Sequence, residues 1–350
     1  MDNPRKPLAV LIPAFNKKYI EQTIVGLRNQ TFQDFDVYIS DDSPDNKITA
    51  LLSELESRSQ LDGLNVTIIS GPKNDYLNHA QLDALFSPKY DYVHFHNDDD
   101  YIYPTFYEQH LAAHSHGDFC ISVSQRWVSD VNNIPYGRLQ DVGFINNDVK
   151  LFTPLTLDAL VKSCLPVATN WLGELSNMLI KPKGATIFPA PPNFASNLNY
   201  FGLPDLGTCF ELSQTRDIVF IASFISNFRQ HPEQTSHFRN VPGSHVKRLC
   251  WAIYPIKAHN ENMISDADLR SSIKSAMRII KAEAEIDEEL MEPLEIMYDL
   301  NDLEDFKSKF TKWWLNYLWE ELGPMFERRE RFYESCRKAH LGIGENVLKI

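Results

Sequence analysis

Three adjacent carboxylates, Asp98, Asp99 and Asp100, follow the apolar stretch Tyr90–Phe95 in Y-D-Y-V-H-F-H-N-D-D-D-Y-I-Y-P. Neighbouring like charges repel, so such a cluster needs a cation or full solvation. Hard oxygen ligands suit Mg²⁺ or Mn²⁺, which commonly bridge one or two carboxylates to substrate phosphates. An isolated triple acid is more often a solvated turn, so its position decides. Val93 and Phe95 predict a short buried strand before the acids, and Pro104 predicts a helix start after them. Acids at the carboxyl end of a strand lie where open α/β sheets bind ligands.

The elements around the acids follow the same rhythm. Leu8–Ile12 is a compact apolar run, and Ile20, Ile24 and Leu27 recur at helical spacing after it. A second strand is predicted over Phe35–Ser40, ending in Asp41-Asp42-Ser43-Pro44. Leu51, Leu52 and Leu55 mark another helix, Asn65–Ser70 a third strand, and a further helix is predicted over about Asp75 to Phe86. Four strand–helix alternations in about a hundred residues predict a parallel sheet flanked by helices. The polar groups after successive strands then converge on one rim: Asn16, then Asp41 and Asp42, then Lys73 and Asn74, then the aspartates. No G-x-G-x-x-G follows the first strand and no G-x-x-x-x-G-K-[ST] occurs, which argues against dinucleotide dehydrogenases and P-loop enzymes.

Composition narrows the class. The 350 residues are 43% hydrophobic and 23% charged, with a formal net charge of −13 whose excess lies mostly before residue 241. An acidic balance argues against a general nucleic-acid binder. Five scattered cysteines without a C-x-x-C fit reduced thiols better than a disulfide frame or a zinc site. The N-terminus has no hydrophobic signal core and no apolar run approaches membrane-spanning length, so the expected location is the cytoplasm, with peripheral contact at the inner face of a membrane as a variant.

Several ordered motifs together resemble the family 2 glycosyltransferases of GT-A fold. They are P-A-F-N, then a helix, Q-T-F-Q-D and a strand ending D-D-S; Asn78-His79; D-D-D-Y-I-Y-P; P-D-L-G-T-C-F-E-L; and N-F-R-Q-H-P-E-Q-T-S. The likeness runs from Leu8 to about His237. It implies a GT-A, Rossmann-like, mostly parallel sheet with flanking helices in a catalytic domain over 1–240, whose nucleotide-sugar half is about 1–117 and acceptor half about 118–240.

The resemblance also implies roles. Pro13, Ala14, Phe15 and Asn16 would line the nucleotide pocket, and Asp41 or Asp42 would bond the base or ribose. Lys73 and Asn78 fall where base and phosphate are contacted. Asn97 stands where the family usually has the first Asp of D-x-D-D; Asp98 would face the ribose and sugar, Asp99 would ligate Mn²⁺ or Mg²⁺, and Asp100 would be a supporting acid. Arg229 and His231 match the closing R-x-H, Arg229 toward the donor phosphates and His231 toward the metal and the same phosphates. Asp205 stands where the catalytic base is found, although Pro204 replaces the acid before it, and Glu174 would face the acceptor. The implied reaction is inverting transfer from a nucleotide-sugar, UDP-linked in first choice, to a glycan hydroxyl, most commonly in bacterial surface polysaccharide or lipopolysaccharide synthesis. Transfer to a lipid phosphate, or a non-catalytic sugar-nucleotide binding or scaffold module, are the alternatives, and Asn97 and Pro204 keep the last of these open.

Between Asp118 and Pro192 the sequence predicts a strand over Phe119–Val123, loop over Gly137–Asp148, and acceptor-side loops. Beyond about Pro242 it turns helical: Ile273, Met277 and Ile280, then Leu315, Leu318 and Leu322, recur at helical spacing. A helical extension over 241–350 is expected. Trp313, Trp314 and Trp319 with Arg328, Arg329 and Arg331 would suit a membrane-facing surface, but the interleaved Glu320, Glu321, Glu327 and Glu330 favour packing onto the catalytic domain or a second subunit.

Overall fold

A computed structural model describes residues 6–73, 75–138, 151–187, 203–234, 248–284, 288–317 and 347–349. The chain runs β1 (Leu8–Ala14), α1 (Lys17–Arg28), β2 (Phe35–Asp41), α2 (Lys47–Ser57), β3 (Asn65–Ser70), α3 (Asp75–Phe86), β4 (Tyr92–Phe95), β5 (Tyr101–Ile102) and α4 (Phe106–His114). It continues with β6 (Ile121–Ser129), β7 (Pro135–Arg138), β8 (Phe152–Leu155), α5 (Leu157–Cys164), β9 (Met178–Ile180), α6 (Pro204–Ser213) and β10 (Ile218–Arg229). Helices α7 (Cys250–Asn260), α8 (Asp266–Ala284), α9 (Met291–Tyr298) and α10 (Leu303–Tyr317) follow, and β11 (Val347–Lys349) is the last described element.

The sheet order is β11-β3-β2-β1-β4-β9-β6-β10-β5, with β7 beside β6 and β8 beside β10. The four predicted strands pair in parallel as β3-β2-β1-β4. Strand order reverses between β1 and β4, which opens a crevice at their carboxyl ends where such sheets take ligands. Each of these strands is buried on both faces, so each reads as a continuous apolar run.

The remaining sheet is mixed. β9 lies antiparallel between β4 and β6, while β6 and β10 pair in parallel. The strand expected over Phe119–Val123 begins at Ile121 and extends to Ser129. Gly137, expected in a loop, lies in β7, and residues 139–148 of that stretch fall outside the described residues.

Helices α7–α10 share one core cluster with the sheet, which joins Leu11, Phe95 and Val123 to Trp251, Ile273, Phe310 and Trp314. Of the three predicted tryptophans, Trp314 is fully buried and Trp313 packs on that cluster while donating to Glu292 at 3.0 Å. Trp319, Leu318, Leu322 and the Arg328–Arg331 stretch lie outside the described residues. β11 departs from an all-helical extension, because it returns to the sheet and pairs antiparallel with β3. No helix among the described residues is long and apolar enough to cross a membrane. The four described cysteines are free and buried; burial raises the Cys120 thiol to about 11 and Cys164 to about 12, which keeps them protonated and unreactive.

Candidate active site

Three segments meet at the β1/β4 crevice: the turn after β1, the acid loop after β4 and the end of β10. Asp98 is the hinge of the first two. Its Oδ2 accepts the backbone N–H groups of Phe15 at 2.6 Å and Asn16 at 2.7 Å. An ionised acceptor facing amides at the start of α1 makes charge-assisted bonds and also meets the positive end of the helix. Asn16 caps α1 by accepting from the Lys18 N–H, and its Nδ2 donates to Glu233 beyond β10 at 3.0 Å. Phe15 is left 62% exposed, an open aromatic face at the crevice.

Asp99 is the reachable acid of the cluster, its side chain 22% exposed. Its Oδ2 lies 3.0 Å from His231 Nε2. His231 Nδ1 accepts the Glu233 N–H at 3.3 Å, so the neutral ring carries its proton on Nε2 and donates to Asp99. Asp100 is fully enclosed. It accepts from the Arg229 N–H at 3.1 Å and from Asn97 Nδ2 at 3.3 Å. Burial, then the charges of Asp99 and Glu174, hold its carboxyl well above the usual range. The triple acid thus divides into an amide-binding, an accessible and a buried member.

Arg229 is the clamp. Its Nε donates to the Asp99 carbonyl at 2.7 Å, one terminal nitrogen to the Val131 carbonyl at 3.0 Å and the other to Gln22 at 2.6 Å. The guanidinium lies 4.3 Å from the Tyr19 ring centre and is fully buried. It therefore meets the chain's own carbonyls in this structure rather than an open phosphate site.

The second acidic turn is divided in the same manner. Asp41 Oδ1 accepts from the Ser43 N–H and hydroxyl at 3.0 and 2.5 Å, and Oδ2 from the Thr49 N–H and hydroxyl at 2.8 and 2.6 Å. These bonds outweigh burial and lower its carboxyl. Asp41 thus organises the entry to α2, and Asp42 accepts the Lys73 N–H. The Lys73 ammonium donates to the Ser43 carbonyl. Gly71 permits this closeness: a Cβ there would lie 2.6 Å from Asp42 Oδ1 and 2.8 Å from the Asp41 carbonyl oxygen. Asn78 is buried beside them, its Nδ2 3.4 Å from the Ser40 carbonyl oxygen and its Oδ1 without a partner.

Glu174 is held 2.6 Å from Arg126 Nε, on β6. Burial raises its carboxyl, the arginine opposes this, and the Asp99 charge adds to the rise, which places Glu174 within the field of the cluster. Gly173, at φ +99, leaves room for the arginine. Asp205 lies half-buried on the first turn of α6. Cys209, one turn on, touches Met178 through sulfur at 3.7 Å, which sets α6 against the segment carrying Ser176 and Asn177. Pro13 and Ala14 are the buried end of β1, and the Ala14 carbonyl accepts the Asp42 N–H at 2.8 Å.

Sequence reasoning missed the supports. Ser176 Oγ accepts the Asn97 N–H at 3.0 Å and also bonds Asp100, while its carbonyl accepts from His94 at 3.0 Å. Thr23 bonds the carbonyls of Asp98 and Asp100 at 3.0 and 3.3 Å. A lone Ser or Thr carries no sequence signal; Arg126, a cation within a buried strand, does.

An open sheet whose first strands run 3-2-1-4, with carboxylates at the switch point, is the GT-A fold. Residues 9–165 match the family model described as Glycosyl transferase family 2, so the likeness read from the motifs holds over that segment. The fold is similar to residues 1–349 of S. aureus TarS, with 14% identity, a TM-score of 0.54, and 96% of this chain and 92% of that one covered. The structure of the same TarS segment in complex with UDP-GlcNAc is similar at 14% identity and a TM-score of 0.53, covering 95% and 91%. No curated protein matches the chain.

Proposed function

We propose that the chain is a metal-dependent, inverting glycosyltransferase that moves a sugar from a UDP-linked donor to a glycan hydroxyl. One observation carries the reading: an accessible carboxylate, Asp99, paired with His231 and fixed at the β1/β4 switch point beside exposed Phe15. TarS, a protein of similar fold, binds UDP-GlcNAc, which supports a uridine donor. Phe15 offers a face for the base, and Asp42 with the Lys73 turn frames the same side of the crevice.

Among the described residues no group of three or more His, Cys, Asp or Glu side chains is arranged to hold a metal. Asp99 and His231 nevertheless fit a partial shell, because Mg²⁺ and Mn²⁺ are usually held by one or two protein groups together with substrate phosphates and water. For His231 to join, its Nε2 proton moves to Nδ1 and the 3.3 Å contact with Glu233 is given up. When bound, the ion offsets charge that develops on the leaving diphosphate.

The chain's own groups do the rest. Asp205 takes the proton from the acceptor hydroxyl as its oxygen bonds the anomeric carbon and the bond to UDP breaks. A single displacement inverts that carbon. Glu174 borders the acceptor side, and Arg229 keeps the acid loop in place. The proposed catalytic unit spans 1–240, and the helical region 241–350 supports it. The acceptor belongs to a bacterial surface polysaccharide or lipopolysaccharide, made at the cytoplasmic side with peripheral membrane contact or self-association through the C-terminal helices.

The test is melting temperature against UDP-GlcNAc and other nucleotides, with Mn²⁺ and with EDTA, followed by D205N. A UDP-specific rise that EDTA removes supports the donor site. D205N then keeps the rise and loses turnover. No rise with any nucleotide overturns the donor reading, and full turnover in D205N removes the assigned base.

A further inference from the structure

The hairpin of β6 and β7 is tied to the acid loop through Arg229 and carries a residue that the register leaves over. Trp127 pairs with Arg138 and Val128 with Gly137, but Ser129 then pairs with Pro135. Tyr136 is the extra residue. Such a bulge breaks the alternation and re-aims a side chain, and bulges are over-represented beside active sites. Here the Tyr136 hydroxyl donates to Gln230 Oε1, in the residue immediately before His231. The hydroxyl is therefore tied to the end of β10, where the chain leads into His231, while the residue stays 61% exposed.

The support beneath it is rigid. Asp130 Oδ1 accepts the N–H groups of Asn132 and Ile134, both at 2.9 Å, and Asn133 accepts from Asn227 at 2.9 Å. The Val131 carbonyl is one of the acceptors of Arg229, so the arginine that closes the acid loop also holds the hairpin tip. Ile134 is 59% and Val131 37% exposed on the same turn. An aromatic placed only for packing would be covered, and a mobile surface tyrosine would not be tied by its hydroxyl.

We propose that Tyr136, flanked by Ile134 and Val131, is a platform for a neutral sugar ring of the acceptor, an inference that rests on the transferase reading. A pyranose ring presents a face of polarised C–H groups with its hydroxyls at the edge. That face packs on the electron-rich face of an aromatic ring, and the hydroxyls remain free for the solvent and the site. Charge separates this occupant from an anionic polymer or a membrane. Residues 129–136, S-D-V-N-N-I-P-Y, hold one carboxylate and no cation, and the arginines of the hairpin lie toward its base, Arg138 opposite Trp127 and Arg126 on Glu174 at 2.6 Å, whereas a phosphate-rich ligand or an acidic headgroup surface needs lysine or arginine at the tip. The hairpin also belongs to the half of the sheet built on β6 and β10, apart from the β1–β4 strands that frame the donor crevice.

The experiment compares the full chain with Y136A and Y136F on an array of immobilised neutral and phosphorylated oligosaccharides. The melting shift given by UDP-GlcNAc with Mn²⁺ is read in parallel, and unliganded melting temperature checks folding. The expected result is binding of neutral oligosaccharides that falls about tenfold in Y136A, a loss of ~1.4 kcal/mol. Y136F keeps the ring and loses only the tether to Gln230, so it falls less, and the UDP-GlcNAc shift is the same in all three. Binding that is equal in Y136A and the parent, a preference for phosphorylated glycans, or no glycan binding by the parent overturns the platform. A Tyr136-dependent neutral signal without any UDP-GlcNAc shift supports the platform and overturns the transferase reading instead.

Discussion

One oxygen of Asp98 holds the backbone N–H groups of both Phe15 and Asn16, so the turn after β1 and the acid loop after β4 are a single unit. The donor crevice is thereby assembled by a side chain from one of its walls. D98N replaces a charged acceptor by an amide whose NH₂ end has no use for two amide donors. Hydrogen bonds to a charged group contribute about 1.5–3 kcal/mol, and a loss of that size is expected in a denaturant midpoint measurement. UDP-GlcNAc binding should weaken with it. Unchanged stability would show that the two amides are satisfied without the charge.

Arg229 cannot be exchanged for lysine without cost. Its fork meets the Asp99 and Val131 carbonyls and Gln22 at once, and an ammonium on a flexible stem cannot reproduce that geometry. R229K is expected to lose about 2–4 kcal/mol by leaving buried carbonyls unmet. A urea titration of both proteins measures this, and a loss below about 0.5 kcal/mol would contradict the clamp.

Asp99 and His231 separate metal use from folding. D99N should leave the unliganded melting temperature close to that of the parent, since the acid is partly exposed. It should abolish the part of the nucleotide shift that depends on Mn²⁺. A shift retained in D99N would move the metal to other groups.

Gly71 sets the width of the neighbouring turn. In G71A the new methyl falls 2.6 Å from Asp42 Oδ1 and 2.8 Å from the Asp41 carbonyl oxygen, and the latter is backbone that cannot swing aside. Weaker UDP-GlcNAc binding at near-normal far-UV circular dichroism is the expected outcome, read as at least a tenfold rise in Kd, about 1.4 kcal/mol.

Between α4 and the sheet lie four buried histidines. His94 is held neutral by burial with its pKa near 3 and His114 near 4, and burial also pushes His96 and His110 far below the ordinary value. His94 and His96 stack 5.1 Å apart, so neither can take a proton without burdening the other. Above the unfolded value of about 6.5 both states are neutral and pH has no effect through these groups. Below it the unfolded chain binds protons that the native protein refuses, so stability falls with pH until the folded values are reached. Four such groups remove on the order of 5 kcal/mol per pH unit. Asp100 works in the opposite direction with one proton, since its folded pKa is raised. Cooperative unfolding near pH 5 is expected in a melting series, and H114Q should make the dependence shallower. A melting temperature that is constant from pH 7.5 to 5 would refute this.

The legible part of the fold is the part built from long apolar runs. β1 to β4 are each buried on both faces, and their parallel order follows from alternation with amphipathic helices. β5, β7, β8 and β9 are two to four residues long, too short to establish a period, and each exists because a longer neighbour offers it an edge. The site divides along the same line. Asp99 and His231, which the structure brings to 3.0 Å, could be singled out as candidates because acids after a strand and a closing R-x-H are local patterns. The bonds from Ser176 to Asn97 and from Asp98 to Phe15 cross 79 and 83 residues, and a single sequence carries no trace of them. Asp41 shows a further limit: a strand-end D-D-S announces polar work without saying that the first acid serves Ser43 and Thr49.

The pairing of β11 with β3 joins Val347 to Ile69. On a ribosome adding about 5–20 residues per second, β3 emerges roughly a quarter of a minute to a minute before its outer partner. Throughout that interval the nascent sheet ends in an open row of peptide groups, with N-V-T-I-I-S as the bare margin. An unpaired strand of that composition invites a neighbouring chain on the same message to pair in its place. Slow elongation through the C-terminal helices should therefore lower the soluble yield, and supplying the outer strand earlier, by circular permutation, should restore it.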